Sequence, residues 1–190
     1  RDCASTAVLV SAHQSIGCKA LVMFGSEEQK EAYLPMVAQE KLSAFCLSEP
    51  NVGSDAAAQE SFSVKTEDGD YILNGEKKWS TSGAMSGLCT VMCKNMVPNP
   101  QTGELEQRGV NALIVTPEME GVEVFENHRA KTGIRGTWQA RFRFNDVRVP
   151  PANVLHEGGK GPKGALSSPH YRRLPLSAGG TGTAQGAQAP

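Results

Sequence analysis

No two of the five cysteines, Cys3, Cys18, Cys46, Cys89 and Cys93, show C-x-x-C spacing, and their number is odd. The four histidines, His13, His128, His156 and His170, are scattered. These absences argue against a disulfide framework and against a structural zinc site, so no metal is expected. Buried thiols in a reducing compartment are the simpler reading. An excess of charge of one sign is also missing. The formal net charge is -1, so no global field draws the chain to nucleic acid or to an acidic membrane. No apolar run approaches the ~20 residues needed to span a bilayer. The chain opens with Arg1-Asp2-Cys3, without a starting Met, and no signal or transit segment is visible. That leaves the natural N-terminus open. A length of 190 residues suits one domain, or one domain with pieces of its neighbours, and is enough for a real core.

Residues up to about Glu40 read as helical. Ser26 stands three residues before Gln29, with Glu27 and Glu28 between, which predicts an N-cap, a capping box and acids in the first turn. Pro35 is expected to end or redirect that helix. His13, a lone histidine in the preceding stretch, is expected to be packed and hydrogen-bonded rather than catalytic.

From Leu42 to Val149 the pattern turns to short strands. Phe62 and Val64 alternate with polar residues, Asp68-Gly69 marks a turn, and Tyr71-Ile72-Leu73 follows. Asn74-Gly75 predicts a second turn. Cys89 to Lys94, Asn111 to Thr116, Val122 to Phe125 and Arg141 to Val149 read as further strands, with a surface loop or long hairpin tip over Asn95 to Gly109. Strands of this length and density suggest an antiparallel barrel or sandwich. Beyond Leu155 the chain is rich in Gly, Pro, Ser and Ala. Pro169 and the Gly pairs at 158–159 and 179–180 argue against a long helix there. Gly179 to Thr183 lacks the Lys-Ser/Thr of a phosphate loop and a strand before it.

Two segments carry chemistry. The first is Phe45-Cys46-Leu47-Ser48-Glu49-Pro50-Asn51-Val52-Gly53-Ser54-Asp55. A strand running into such a turn presents Ser48, Gly53 and Ser54. Small residues let backbone N–H groups approach a ligand, and hydroxyls add directional hydrogen bonds. A phosphate or the edge of a polar heterocycle would suit it, although many serine-rich turns bind nothing. The second is Asn74-Gly75-Glu76-Lys77-Lys78-Trp79-Ser80-Thr81-Ser82-Gly83. Trp79 offers a flat apolar face with the Thr81 hydroxyl near, which suits a planar cofactor. A half-buried Trp in a sheet wall would read the same way.

In this order, the two segments resemble the acyl-CoA dehydrogenase family, whose pattern is Thr-Glu-Pro-x-x-Gly-Ser-Asp followed by Asn-Gly-x-Lys-x-Trp-Ile-Thr-Asn-Gly. The resemblance continues into Asp146-Val147-Arg148-Val149-Pro150 and Asn153-Val154-Leu155, and upstream through Ala12-His13-Gln14-Ser15-Ile16-Gly17. It covers roughly residues 8 to 161 and is nearest the very-long-chain branch. It implies an α+β chain: an antiparallel β-barrel-like middle domain flanked by helical segments of the acyl-CoA dehydrogenase fold. Residues 1–41 would end the helical N-terminal domain, 42–156 would form the β middle domain, and 157–190 would be a degenerate start of the C-terminal helical domain.

The resemblance also implies roles. The cofactor would be FAD, contacted by Leu47, Ser48, Gly53, Ser54, Trp79 and Thr81. Ser48 stands where the family has a Thr that binds the flavin pyrimidine edge. Gly53 and Ser54 match the turn near the FAD pyrophosphate and the thioester, Trp79 the aromatic wall, and Thr81 the residue at flavin N5 and O4. Ser54 and Arg173 would meet the substrate. The family chemistry is α,β-dehydrogenation of an acyl-CoA: a carboxylate takes the α-proton, the β-hydrogen leaves as hydride to flavin N5, and electrons pass to an electron-transfer flavoprotein. Further implications are a homo-oligomer in the full-length family, association with the inner-membrane surface, and a mitochondrial matrix location, or cytoplasm if bacterial.

No residue is expected to serve as catalytic base. Glu49 belongs to the turn and reads as a structural carboxylate beside backbone amides, and Asp55 as a cap or turn residue. The family base lies in the C-terminal helices. At the one position available here the chain has Arg172, next to Arg173, and an arginine cannot abstract a proton at neutral pH. The cluster Arg129, Lys131 and Arg135 is either a solvated face or a contact for a CoA phosphate or an acidic partner. Two alternatives stay beside a dehydrogenase fragment: a non-catalytic binding or assembly module on the same fold, and a truncated product without activity.

Overall fold

The computed structural model describes the backbone of residues 3–156 and 168–187, and the side chains of 3–155 and 177–187. Helix α1 (Ala4–Ala12) passes through a wider π-type turn (His13–Gly17) into α2 (Cys18–Phe24). The turn brings the helix hard against the first strand. The His13 ring Nδ1 accepts the Ser43 N–H at 3.0 Å, and a Cβ on Gly17 would lie 2.4 Å from the Ser43 carbonyl oxygen. His13 is therefore the packed, hydrogen-bonded histidine expected. The run Ala4–Phe24 is long and apolar enough to cross a membrane by length and composition, contrary to the sequence reading. Its Ser, Gln and His residues interrupt the apolar string without raising its charge above the single Lys19. Ala12, Ile16, Ala20 and Leu21 of this run lie in a core cluster with Phe45, Leu88 and Met92.

Helix α3 (Glu27–Gln39) begins with the expected box: Ser26 Oγ accepts the Gln29 N–H at 3.2 Å, and Gln29 Oε1 accepts the Ser26 N–H at 3.0 Å. Pro35 lies inside this helix and does not end it. The proline costs one intrahelical hydrogen bond, but tertiary contacts hold the helix on both sides of it. Gln29 Nε2 donates to the Ala152 and Val154 carbonyls at 2.7 and 3.0 Å, Tyr33 Oη donates to Asn153 Oδ1 at 2.8 Å, and Val37 is buried.

The strands are β1 (Leu42–Cys46), β2 (Phe62–Lys65), β3 (Tyr71–Thr81), β4 (Ser86–Pro98), β5 (Leu105–Val115), β6 (Val122–Glu126), β7 (Gln139–Val149) and β8 (Val154–His156). They form one sheet in the order β6-β7-β3-β2-β4-β5-β8, with β1 also on β4. The expected antiparallel barrel is corrected on two counts. Both β1 and β2 run parallel to β4, because long crossovers through the intervening strands join them instead of tight turns. The end strands β6 and β8 share no ladder, so the sheet is mixed and does not close. Residues Ser86 to Cys93 of β4 are all buried. One face of β4 meets the helices through Leu88 and Met92. The other meets β3 and β7 in a second cluster that includes Leu73, Val91, Leu113, Phe142 and Phe144.

Asn74-Gly75 is not a turn. It is a bulge inside β3, where the ladder with β7 shifts register between Leu73 and Gly75. Asn74 is tied to Asp146 on β7: Nδ2 donates to Asp146 Oδ1, and Asn74 Oδ1 accepts the Asp146 N–H, both at 2.9 Å. Gly75 has φ +135°, and a Cβ there would lie 2.3 Å from Ser61 Oγ, so the pair serves strand packing rather than reversal. The tail is corrected too. A helix, α4, spans Ser168–Ala187. Pro169 falls in its first turn, where the missing N–H costs no intrahelical bond, and the segment that suggested a phosphate loop lies within it.

Candidate functional site

The first chemical segment leaves β1 at Cys46 and turns tightly. Glu49 and Val52 exchange backbone hydrogen bonds at 3.0 and 3.3 Å. The Glu49 side chain points inward, 1% exposed. Its carboxylate accepts the N–H groups of Glu60 and Ser61 and the Lys77 ammonium, the last at 2.6 Å. Glu49 is thus the structural carboxylate expected. Burial pushes its carboxyl up, but Lys77 and the two amides outweigh that and hold it below the usual range. Lys77, 0% exposed, also donates to the Leu47 carbonyl at 3.1 Å and to Gln59 Oε1 at 3.0 Å. Burial lowers its ammonium despite the raising effect of Glu49.

This clamp brings the two segments together. The Ser48 carbonyl accepts the Lys78 N–H at 2.8 Å, and Lys78 Nζ donates to the Pro50 carbonyl at 2.7 Å. Leu47 and Ser48 are half-buried, while Gly53 and Ser54 are exposed. A Cβ on Gly53 would meet nothing within 4 Å, so the backbone there is open to an approaching group. On β3 the ladder with β7 shifts again between Lys77 and Ser80. Trp79 sits in this irregularity with φ +61°, a rare conformation for a bulky residue. Its indole is 42% exposed, although Ser80 and Thr81 beside it are buried. Arg129 stacks over the indole, 5.0 Å from the ring centroid. A pocket of about 240 Å³ opens there, lined among others by Pro50, Lys78, Trp79 and Glu126.

Leu47, Ser48, Trp79 and Thr81 are therefore gathered by one hydrogen-bonded clamp, with Gly53 and Ser54 on the adjoining turn. Arg173 falls on α4, and its side chain lies outside the described residues. Among the described residues, no group of three or more His, Cys, Asp or Glu side chains could hold a metal. Behind the clamp, three thiols are buried. A hydrogen bond from Cys89 lowers Cys46 and raises Cys89, and burial pushes Cys93 up to about 11. Of the basic cluster, Arg129 serves Trp79, and Lys131 donates to the Thr137 carbonyl. The sequence reading passed over Lys77, Gln59 and Glu126. Lys77 was visible in one respect: it stands in phase with the inward residues Tyr71 and Leu73 of β3.

A mixed sheet preceded by packed helices carries an exposed indole beside a clamped turn. A model of the acyl-CoA dehydrogenase middle domain matches residues 44–147, and one of the acyl-CoA dehydrogenase N-terminal domain matches residues 1–41. The chain belongs to the acyl-CoA dehydrogenase family. The very long-chain specific acyl-CoA dehydrogenase of Macaca fascicularis mitochondria is 39% identical over 181 residues, covering 94% of this chain and 27% of that protein. The probable acyl-CoA dehydrogenase FadE10 of Mycobacterium tuberculosis is 39% identical over 183 residues, covering 95% of this chain and 27% of that protein. The crystal structure of an acyl-CoA dehydrogenase complexed with FAD from Bacillus anthracis matches with a TM-score of 0.83 and 35% identity, over 95% of this chain and 29% of that one. The chain thus spans under a third of the length of each. FAD is the cofactor of the family, and the residues here fit it. Ser48, Ser54 and Thr81 make no side-chain hydrogen bond among the described residues, and one indole face and the Gly53 backbone stand open beside them.

Proposed function

We propose that this chain is the flavin-contacting part of an FAD-dependent acyl-CoA dehydrogenase that oxidises a fatty acyl-CoA and passes electrons to an electron-transfer flavoprotein. Residues 1–41 end its helical N-terminal domain, 42–156 form the middle domain, and 157–190 begin the C-terminal helical domain. Bound FAD would supply the hydride acceptor. Ser48 and Thr81 would offer hydroxyls to the flavin edge, Trp79 would stack beside its ring, and Leu47 would line the turn. Gly53 and Ser54 would admit the pyrophosphate and the thioester, and Arg173 would meet the substrate. The base belongs elsewhere. Glu49 is 1% exposed and its carboxylate is engaged by two amides and Lys77, so it is turned into the fold and away from a substrate. By kinship the protein works in the mitochondrial matrix, or in the cytoplasm of a bacterium, as a homo-oligomer, with the inner-membrane surface as a docking place.

The observation that carries this reading is the direct tie between the two motif segments, from the Ser48 carbonyl to the Lys78 N–H, with unengaged hydroxyls around an exposed indole. The test is to isolate the native protein, measure its intact mass, and titrate it anaerobically with acyl-CoA thioesters. The expected result is a mass above the 20.2 kDa of this chain and bleaching of the flavin. A native protein of full family length that holds flavin but bleaches with no acyl-CoA would overturn the reading.

A further inference from the structure

Trp79 sits at an irregularity of β3, with φ +61°, and is 42% exposed. An indole has two faces, and the Arg129 guanidinium takes one of them, 5.0 Å from the centroid. No second ring or cation contacts the indole among the described residues. Arg129 lies fifty residues downstream in sequence, just past β6, and is itself held. Glu126, the last residue of β6, lies 3.6 Å from Arg129 and 3.8 Å from Arg141. Arg141 pairs in turn with Glu76, three residues before Trp79 on β3, and stacks on Phe125 at 4.8 Å. The ring of contacts runs from β3 through β7 and β6 and back to the indole. Its middle members, Glu76, Glu126 and Arg141, are only partly exposed, and charges joined in a network hold their geometry better than isolated surface pairs.

We propose that Arg129, oriented by Glu126, is a positioning residue that covers the outer face of Trp79 and fixes the indole so that only its other face is offered to the flavin. The proposal rests on the flavin-stacking reading of Trp79. A guanidinium over an indole is attracted to the π-cloud at a preferred place, so it restrains ring rotation at an exposed position. It also keeps a positive charge behind the stacked ring, which favours the electron-rich, reduced flavin over the oxidised form.

The test uses the full-length protein carrying Trp138→Phe, which leaves Trp79 as the chain's one tryptophan within the present residues; any tryptophan outside them is subtracted with a Trp79→Phe control. Arg129→Ala, Arg129→Lys and Glu126→Gln are compared for acrylamide quenching of Trp79 emission in the apoprotein, FAD dissociation constant and flavin reduction potential. The Arg129→Ala protein is expected to show a more readily quenched Trp79, an FAD affinity weaker by about two- to fivefold and a more negative potential. Arg129→Lys recovers part of each effect; Glu126→Gln falls between in quenching and FAD affinity, while its potential is not lowered, because the negative charge beside Arg129 is removed. Unchanged quenching in Arg129→Ala overturns the proposal, as does tighter FAD binding, which would mean that Arg129 occupies the flavin's own face. If the parent takes up no FAD, the flavin reading fails by itself, and the quenching series still decides whether Arg129 holds the ring. Should Arg129→Ala fail to fold, Arg129→Lys and Glu126→Gln carry the same comparison.

Discussion

Replacing Lys77 with Met should destabilise the chain far more than its single ion pair suggests. The side chain is 0% exposed and serves three acceptors: Glu49 Oε1 at 2.6 Å, Gln59 Oε1 at 3.0 Å and the Leu47 carbonyl at 3.1 Å. Methionine fills nearly the same volume, so packing changes little. What changes is that the Glu49 carboxylate, 1% exposed, loses its cation and keeps only the amides of Glu60 and Ser61. Removing one partner of a buried pair costs about 3–5 kcal/mol, because the charge left behind stays out of water. In a chain of this length that lowers the melting midpoint by roughly 6–20 °C. The double variant Lys77→Met/Glu49→Gln removes both charges and should lose less than the sum of the single losses, with a coupling energy of about 2 kcal/mol or more. Equilibrium urea unfolding of the four proteins measures the cycle. A Lys77→Met loss below about 1 kcal/mol, or additive losses, would show that the clamp does not hold the two segments together. Arg148→Met is the control. Arg148 pairs with Asp68 and Asp70, but its side chain is 56% exposed, so its loss should be small beside that of Lys77.

Three further outcomes are expected. Burial lowers His13, and a hydrogen bond to the Val37 backbone offsets this only in part. A depressed folded-state value means that its contribution is complete above the ordinary value of about 6.5 and is lost as pH falls through the folded value. Unfolding free energy should therefore decline with acidification below about pH 6.5, and His13→Gln should flatten that decline; an unchanged slope would remove His13 as its source. Gly75→Ala should cost about 2–4 kcal/mol, because φ is +135° and the new Cβ would meet Ser61 atoms at 2.3–2.6 Å. Gly103→Ala, with φ +74° but nothing within 4 Å, should cost only about 1 kcal/mol, and equal losses would show that the Ser61 contact is not the cause. Ser26→Ala removes the acceptor for the Gln29 N–H and should cost about 1 kcal/mol by thermal unfolding; a null effect would mean that the bonds from Gln29 to Ala152 and Val154 alone hold the start of α3.

What the sequence could show depended on whether a residue's partner was near it in the chain. The Ser26–Gln29 box, the strand alternation at 141–149 and the turn at Asp68-Gly69 are local, and each was read correctly. Pro35 and Pro169 were misread because their cost depends on what the helix touches and where it starts. Asn74-Gly75 was misread because its usual hairpin chemistry was borrowed for a bulge whose partner, Asp146, lies seventy-two residues away. The parallel pairing of β1 and β2 with β4 is likewise set across long crossovers, and no local pattern distinguishes it from a hairpin.

The same division runs through the site. The motif residues from Leu47 to Ser54 and from Trp79 to Thr81 form two short strings, and a string can be recognised. Their support is distributed. Lys77 reaches back twenty-eight residues to Glu49 and eighteen to Gln59, while Arg129 reaches back fifty to Trp79. A lysine in phase with Tyr71 and Leu73 breaks the inward apolar pattern, and a buried lysine is costly unless a carboxylate meets it. That mismatch alone demands an acidic partner from elsewhere in the fold, and Glu49, rejected as a base, is the carboxylate that answers it. The charge that the turn carries is therefore engaged in holding the turn in place, and under the proposed function the proton transfer falls to a different residue.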